Sequence, residues 1–343
     1  MKTLEIRGAT STSTIRVGER LHNLKAYIPV PKAVIITDTN VGRLYQKDFP
    51  PADVITINTG EKIKNLDTVH YIYQKLVECE ADRSAFIVGI GGGIVCDIAG
   101  FVASTYLRGV RFGFVSTTLL CQVDASVGGK NGVNFGGYKN MVGVFNQPEF
   151  VVCDTQLLHT LPEKEILCGM AEIIKHAAIG DSPLFAYLEE NYQKALALDS
   201  EVINKLVFDS VVIKSGIVNQ DEKEKGERRK LNFGHTFGHA FEKTIGVPHG
   251  EAVSAGMVIA AALSVKRGRL SAQDAQRLEA LIEKLKLPAR LHADGNMVID
   301  ALRKDKKRQD DRIHFVLLDK IGHAFVEEIS LAELAAETNE LLG

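Results

Sequence analysis

Two textures of apolar and polar positions alternate through the first half of the chain. Short β-branched runs stand at Ala33–Thr37, Val54–Ile57, Phe86–Ile90, Phe112–Ser116 and Phe150–Cys153. Between several of them, Leu66–Glu80 and Val95–Thr105 carry apolar residues at helical spacing. Strand, helix, strand at this rhythm predicts a largely parallel α/β sheet with helices on its faces. From Pro162 the text turns to Ala, Leu, Glu and Lys, with long 3.6-period segments at Glu163–Ile179, Val202–Val218 and Ala272–Leu285. Strand signals return only in the tail, where Ile313–Leu318 and Ala324–Ile329 flank a turn that contains Gly322. The pattern predicts an α/β domain over residues 1–155 and a mainly α-helical domain over 156–343.

Composition narrows the function classes. The 343 residues are 45% hydrophobic, enough for a full core, and 24% charged with a formal net charge of -2. No basic excess points to a nucleic-acid partner. The cysteines, Cys79, Cys96, Cys121, Cys153 and Cys168, are odd in number and lack C-x-x-C spacing. That argues against a disulfide framework or a Cys-type zinc site and for a reducing compartment. The first residues lack the apolar core of a secretory signal. The apolar stretch Val253–Val265 is interrupted by Ser254 and Gly256 and is too short to span a bilayer. A soluble, cytoplasmic protein without a membrane partner is expected.

Several stretches carry chemistry. Phe86–Asp97 is an apolar run, then glycines, then a helical segment, the order that lets a backbone approach a pyrophosphate at a helix N-terminus. Gly89 and Gly91 fit G-x-G-x-x-G, but Ile94 stands where the third glycine belongs, so a tight strand–helix turn remains an equal reading. Asp38 and Asn40 end a strand and suit either a ribose or, more simply, a helix cap. His235 and His239 lie at i and i+4, with His249 following and Glu172, Lys175 and His176 upstream. Two histidines and a carboxylate with open positions suit a catalytic Zn²⁺. Spacing alone selects His235 and His239 as the ligand pair. Ser116–Asn140 reads as a long functional loop in which Lys130 and Lys139 neutralise a phosphate or carboxylate, with a solvated surface loop as the alternative. The charge runs Asp221–Lys230 and Arg303–Arg312 read most simply as exposed faces, single members of which can still point into a site.

Taken in order, Gly91-Gly-Gly-Ile-Val-Cys-Asp97, Thr105-Tyr-Leu-Arg108-Gly, Thr117-Thr118-Leu-Leu, Gln122-Val-Asp124-Ala-Ser-Val-Gly-Gly-Lys130, Lys139-Asn140-Met, Ala171-Glu172-Ile-Ile-Lys175, Asn232-Phe-Gly-His235 and His249-Gly250-Glu251-Ala span nearly the whole chain. As a set they resemble the 3-dehydroquinate synthase family of sugar-phosphate cyclases. The resemblance implies a Rossmann-like N-terminal domain, a helical C-terminal domain, NAD, Zn²⁺ (or Co²⁺) and a homodimer. It implies metal ligands Glu172, His235 and His249, moving His239 from the metal to the substrate. For NAD it implies Asp38, Asn40, Glu61, Lys64, Gly92, Gly93, Asp97, Thr117, Thr118, Asp124, Lys139 and Thr160. For substrate it implies Arg108, Asp124, Lys130, Asn140, Lys175, Lys214, Arg228, Asn232, His239 and Lys306. Of these, Lys130, Lys175, Lys214, Arg228, Asn232 and His239 would be catalytic. Cys96 and Tyr138 replace usual glycines, Asn131 stands where Thr is common, and the segment from Gly246 to His249 is short.

The implied reaction turns 3-deoxy-D-arabino-heptulosonate 7-phosphate into 3-dehydroquinate and phosphate, the second step of the shikimate route to aromatic amino acids. It runs through transient oxidation at C5, loss of phosphate, re-reduction, ring opening and intramolecular aldol closure. Lys130, Lys139, Arg228 and His239 would hold the phosphate, and Lys214 and Lys306 the carboxylate. Three other readings remain: a cyclase making another ring, a metal-containing NAD-dependent polyol dehydrogenase of similar fold, and a descendant kept only for binding.

Overall fold

The apolar runs of the first half become the centre of one sheet. In the computed structural model, which describes residues 1–8, 12–303, 308–309 and 312–338, the chain divides into two compact units, Met1–Leu161 and Pro162–Gly343. The strands of the first unit are β1 (Lys2–Arg7), β2 (Thr12–Val17), β3 (Ala33–Asp38), β4 (Asp53–Ile57), β5 (Phe86–Gly91), β6 (Arg111–Ser116), β7 (Lys130–Phe135), β8 (Tyr138–Phe145) and β9 (Phe150–Cys153). Its helices are α1 (Thr39–Tyr45), α2 (Leu66–Glu78) and α3 (Gly93–Thr105).

The main sheet has the order β1-β2-β9-β6-β5-β3-β4. From β2 to β4 every neighbour pair is parallel, and β1 is antiparallel at the edge. Every residue of β5 and β9 is buried, which is why these strands read as continuous apolar runs rather than alternating ones. Ile35, Val88, Val115 and Val152 fill the core, with Phe86 stacked on Phe150 at 5.7 Å between ring centroids. β1 and β2 have no counterpart in the sequence reading. Their polar, Thr- and Ser-containing text lacks a continuous apolar run, and β2 alternates buried and half-exposed positions instead.

The lysine-rich middle is not one long loop. After a wide helical turn at Cys121–Ala125 it forms the hairpin β7–β8, with Phe135 opposite Tyr138 across Gly136 and Gly137. Both glycines have positive φ, 59° and 80°, the hand that two-residue hairpin turns require. The Gly-Gly pair was the available signal for this turn.

The second unit is built from α4 (Glu163–Gly180), α5 (Ser182–Leu196), α6 (Ser200–Gln220), α7 (His235–Ile245), α8 (His249–Lys266), α9 (Ala272–Lys284), α10 (Gly295–Arg303) and α11 (Leu331–Thr338). A small sheet joins β10 (Arg308–Gln309), β11 (Arg312–Lys320) and β12 (His323–Ser330), confirming the tail hairpin. Gly322 turns that hairpin at φ 91° and donates its N–H to Ala178 O at 2.8 Å, docking it on the end of α4. Asp181, Asp199 and Ser271 cap α5, α6 and α9 through their side chains. No helix among the described residues is long and apolar enough to cross a membrane.

Candidate active site

In the first unit the candidate cofactor residues gather because parallel strands end on one edge. Asp38 closes β3, Glu61 and Lys64 follow β4, Gly92 and Gly93 follow β5, Thr117 and Thr118 follow β6, and Thr160 lies in the turn after β9. The chain steps outward from β3 to β4, then crosses to the other side of β3 to lay down β5. Such a switch point leaves a crevice beyond the strand ends, here between Asp38 and Gly92.

Closeness, rather than backbone hand, selects the glycines of the β5–α3 turn. A Cβ on Gly91 would lie 2.6 Å from Val95 Cβ, one on Gly92 2.9 Å from Thr118 Cγ2, and one on Gly93 3.0 Å from Ala125 Cβ. Ile94 is tolerated because the close helix–strand contact is made elsewhere. A Cβ on Gly89 would meet Ala99 Cβ at 2.9 Å, and one on Gly100 would meet Asn131 Oδ1 at 2.1 Å. Two departures from the family pattern are thereby explained. Asn131 packs on Gly100 and ties the hairpin by donating Nδ2 to Gly129 O and Asn146 O, at 3.1 and 2.8 Å. Cys96 is buried on α3 with its Sγ 3.5 Å from Cys121 Sγ. Tyr138 is exposed.

A polar network adjoins this turn. Lys64, buried, reaches Asp97 Oδ2 and Asn140 Oδ1, each at 2.5 Å. Burial raises the Asp97 carboxyl above its ordinary value, and Lys64 partly offsets that. Asn134, which the sequence reading missed, donates to Glu61 Oε1 at 2.7 Å and accepts from Asn140 N at 2.8 Å. That contact holds Asn140 at φ 51°. A cavity of about 280 Å³ is lined by Glu61, Lys64, Asn134, Tyr138 and Lys139 among others. Asp38 caps α1 through Oδ1, accepting from Asn40 N and Val41 N. Thr118 Oγ1 accepts from Cys121 N, and Thr160 Oγ1 lies 2.5 Å from the Tyr45 hydroxyl. Asp124 is half-buried in the Cys121–Ala125 turn, whereas Lys130, Lys139 and Arg108 are exposed. Arg108 follows Leu107 in a turn where both have positive φ, 70° and 51°.

In the second unit, small residues bring three helices to contact distance. Gly234, at φ 77°, precedes α7 as its N-cap; a Cβ there would meet Val253 O at 2.8 Å. One on Gly256 would meet Gly234 O at 2.0 Å, and one on Gly250 would meet Cys168 Cα at 2.5 Å. With α7, α8 and α4 so close, Glu172 of α4 meets His235 and His249, the first residues of α7 and α8. Their donor atoms all lie within 4.8 Å of one another. Glu172 Oε1 is 3.6 Å from His235 Nε2 and 3.3 Å from His249 Nε2. His239 does not belong to this triad: its ring stands edge-on to His235, centroids 5.4 Å apart. The pair selected by spacing thus gives way to a set that only tertiary packing assembles.

The electrostatics are those of an anion-centred pocket. Burial opposes the charge of Glu172, but Lys175, in direct contact with it, and the two histidines hold its carboxyl well below the ordinary range. Burial and Lys175 push His235 well below the ordinary imidazole value. Burial would lower His249 too, but Glu172 and Glu242 overcome it and push it up to about 10. His235 Nδ1 faces Phe233 O at 3.2 Å; a carbonyl only accepts, so Nδ1 carries the proton and Nε2 faces Glu172.

Two buried cations complete the unit. Lys214 of α6 is buried, and so is Arg228, a single member of its charge run that turns inward. Asp221 explains the difference. Its carboxylate accepts from Lys225 N, Gly226 N and Arg228 N, folding the loop so that Arg228 turns inward and donates Nη1 to Glu222 O at 2.5 Å. Asn232 donates to Glu224 Oε1 at 2.7 Å. Asp221, Glu224 and Glu242 were not singled out from sequence. Only Glu242 carried a signal, standing at i+7 from His235 on the same helix face. Lys306 lies outside the described residues.

Family profiles described as 3-dehydroquinate synthase N-terminal and C-terminal match residues 54–168 and 169–308. A 3-dehydroquinate synthase from Dehalococcoides mccartyi is 45% identical over 316 residues, 89% of this chain and 88% of that protein. A solved 2-deoxy-scyllo-inosose synthase, complexed with carbaglucose-6-phosphate, NAD+ and Co2+, is 25% identical with a TM-score of 0.89 over 99% of this chain and 100% of its own. The 2-epi-5-epi-valiolone synthase from Streptomyces hygroscopicus subsp. jinggangensis 5008, with NAD+ and Zn2+ bound, is 26% identical with a TM-score of 0.87 over 99% of both chains. With motifs, fold and relatives in accord, the chain belongs to the 3-dehydroquinate synthase family and has that family's lyase activity.

Proposed function

We propose that this chain carries out the family reaction on 3-deoxy-D-arabino-heptulosonate 7-phosphate with NAD and a divalent cation, Zn²⁺ or Co²⁺. The observation that carries the reading is the Glu172–His235–His249 cluster, one carboxylate and two imidazoles with donors within 4.8 Å of one another. That donor set suits a catalytic zinc with an open position. When bound, NAD supplies reversible hydride transfer and the cation supplies Lewis acidity.

The chain's own residues do the rest. Glu172, His235 and His249 hold the cation, and Lys175, against Glu172, presents an ammonium beside it to orient a substrate oxygen. Lys214 and Arg228 are buried cations held ready for anionic groups of the substrate. Glu224 fixes the amide of Asn232, so its orientation is set before substrate arrives. His239, edge-on to His235, is positioned to bind the substrate rather than the cation. In the first unit, Asn140, bonded to Lys64, serves the substrate, and Lys64 with Asp97, the Gly92–Gly93 turn and the Thr117–Thr118 pair hold the cofactor. Arg108, Asp124, Lys130 and Lys139 serve its charges or the substrate's. The homodimer and the reducing cytoplasm belong to the same proposal; five free cysteines support the second.

The test supplies the heptulosonate phosphate with NAD and Zn²⁺ or Co²⁺. Phosphate and 3-dehydroquinate should appear with no net NADH. Accumulating NADH would mark a polyol dehydrogenase instead, and a different carbocycle would mark another cyclase. His235→Ala should lose both the cation and turnover; full turnover without bound metal would reject the ligand set.

A further inference from the structure

Both histidines of the cluster turn Nε2 toward Glu172, and each needs a reason to do so. For His235 the reason is a neutral carbonyl, Phe233 O, 3.2 Å from Nδ1. His249 has something stronger: the carboxylate of Glu242, with Oε1 3.4 Å from Nδ1. The ring of His249 is therefore sandwiched between two carboxylates, Glu172 on Nε2 at 3.3 Å and Glu242 on Nδ1 at 3.4 Å. Glu242 is largely buried, its side chain 12% exposed, so its charge is weakly screened. Its place on α7 brings it there: His235, His239 and Glu242 stand at i, i+4 and i+7, one face of the helix, while Phe237 and Phe241 pack into the core.

We propose that Glu242 is the positioning carboxylate of the metal site: it accepts the Nδ1–H of His249 and so reserves Nε2 for the cation. The inference rests on the ligand set proposed above and extends it by one residue. A carboxylate behind a ligating imidazole fixes the tautomer, holds the ring plane and raises the basicity of the ligating nitrogen. No covalent or redox step is involved; the Nδ1 proton of His249 stays in place, and a proton on Nε2 leaves to solvent as the cation binds.

The experiment measures Zn²⁺ and Co²⁺ affinity of the purified full-length chain by chelator competition, without substrate, together with the visible spectrum of the Co²⁺ form. Glu242→Gln should weaken affinity about 10-fold and Glu242→Ala about 100-fold. Both should change the cobalt spectrum, and Glu242→Asp should restore part of the affinity. In ¹⁵N-histidine-labelled, zinc-loaded wild-type protein, His249 should show a protonated, downfield Nδ1–H and a metal-shifted Nε2. That signature decides the matter even if a variant fails to fold. His249→Ala is the control that separates the two readings. If it binds metal normally, the ligand set itself is wrong. If it loses metal while Glu242→Gln and Glu242→Ala keep wild-type affinity and spectrum, or if Nδ1 proves to be the ligating nitrogen, the role of Glu242 is overturned alone.

Discussion

The two units use glycine for different ends. In the first, Gly91, Gly92 and Gly93 stand beyond a strand, and the atoms that exclude a side chain are mostly other side chains: Val95, Thr118 and Ala125. In the second, Gly234, Gly250 and Gly256 stand within or at the start of helices, and the excluding atoms are mostly backbone: Val253 O (with Met257 Cγ, a side-chain atom, closer still at 2.6 Å), Cys168 Cα and Gly234 O. Of the first unit's side-chain atoms, Thr118 Cγ2 can move by changing rotamer, whereas Val95 Cβ and Ala125 Cβ are fixed to their own backbones, and helix backbones move only as whole elements. The first arrangement shapes a loop, and the second sets the distance between three helices and hence the spacing of Glu172, His235 and His249.

The sharpest way to break this contrast is Gly256→Ala. Its Cβ would sit 2.0 Å from Gly234 O, so α7 and α8 must separate. We expect a loss of about 3 kcal/mol or more in stability, read by denaturant unfolding. Surviving folded protein should have weakened cobalt binding. Unchanged affinity would show that the ligands do not depend on that contact.

A smaller effect is expected in the first unit from Lys64→Met, which strands Asp97. Removing one partner of a buried ion pair costs about 3 kcal/mol at neutral pH. Asp97 already has a raised carboxyl pKa, and the substitution raises it further. A raised carboxyl makes the folded state favour the protonated form. The loss should therefore be present above that pKa and shrink as pH falls toward the ordinary value of 3.8. Unfolding curves at neutral and acidic pH would test this; a deficit that grows on acidification would contradict it.

Smallest is Cys96→Gly, which restores the family's usual residue on α3. It should cost about 0.5–1 kcal/mol through lost helix propensity and packing against Cys121. Nucleotide affinity should stay unchanged, because the side chain touches the turn only through a long Sγ contact to Gly91 O at 3.8 Å, while Val95, Thr118 and Ala125 make the close approaches. A marked fall in NAD affinity, measured by fluorescence titration, would show that Cys96 shapes the loop after all.

Legibility followed how local the cause was. β5 and β9, buried on both faces, announce themselves as apolar runs, and helices such as α4 and α9 announce themselves by period. The edge pair β1–β2 does not, because its pairing rather than its composition makes it a strand. The hairpin β7–β8 was hidden under lysines and asparagines, although Gly136-Gly137 marked its turn. The charge run by itself does not say which member turns inward; the burial of Arg228 depends on Asp221 gathering three backbone N–H groups four to seven residues away in a loop.

By itself the sequence determined the parallel sheet, the helical second half, the tail hairpin and, through motifs spread over the whole chain, the family. Which donors meet was implied by the resemblance but not legible from local spacing, and only tertiary packing supplies the distances between them. Glu172, His235 and His249 lie on three helices, the first far from the other two in the chain, and converge where Gly250 and Gly256 let backbones touch. Local spacing reports which residues share one helix face, as His235 and His239 do; it carries no term for the distance between helices, and that distance sets the composition of the site.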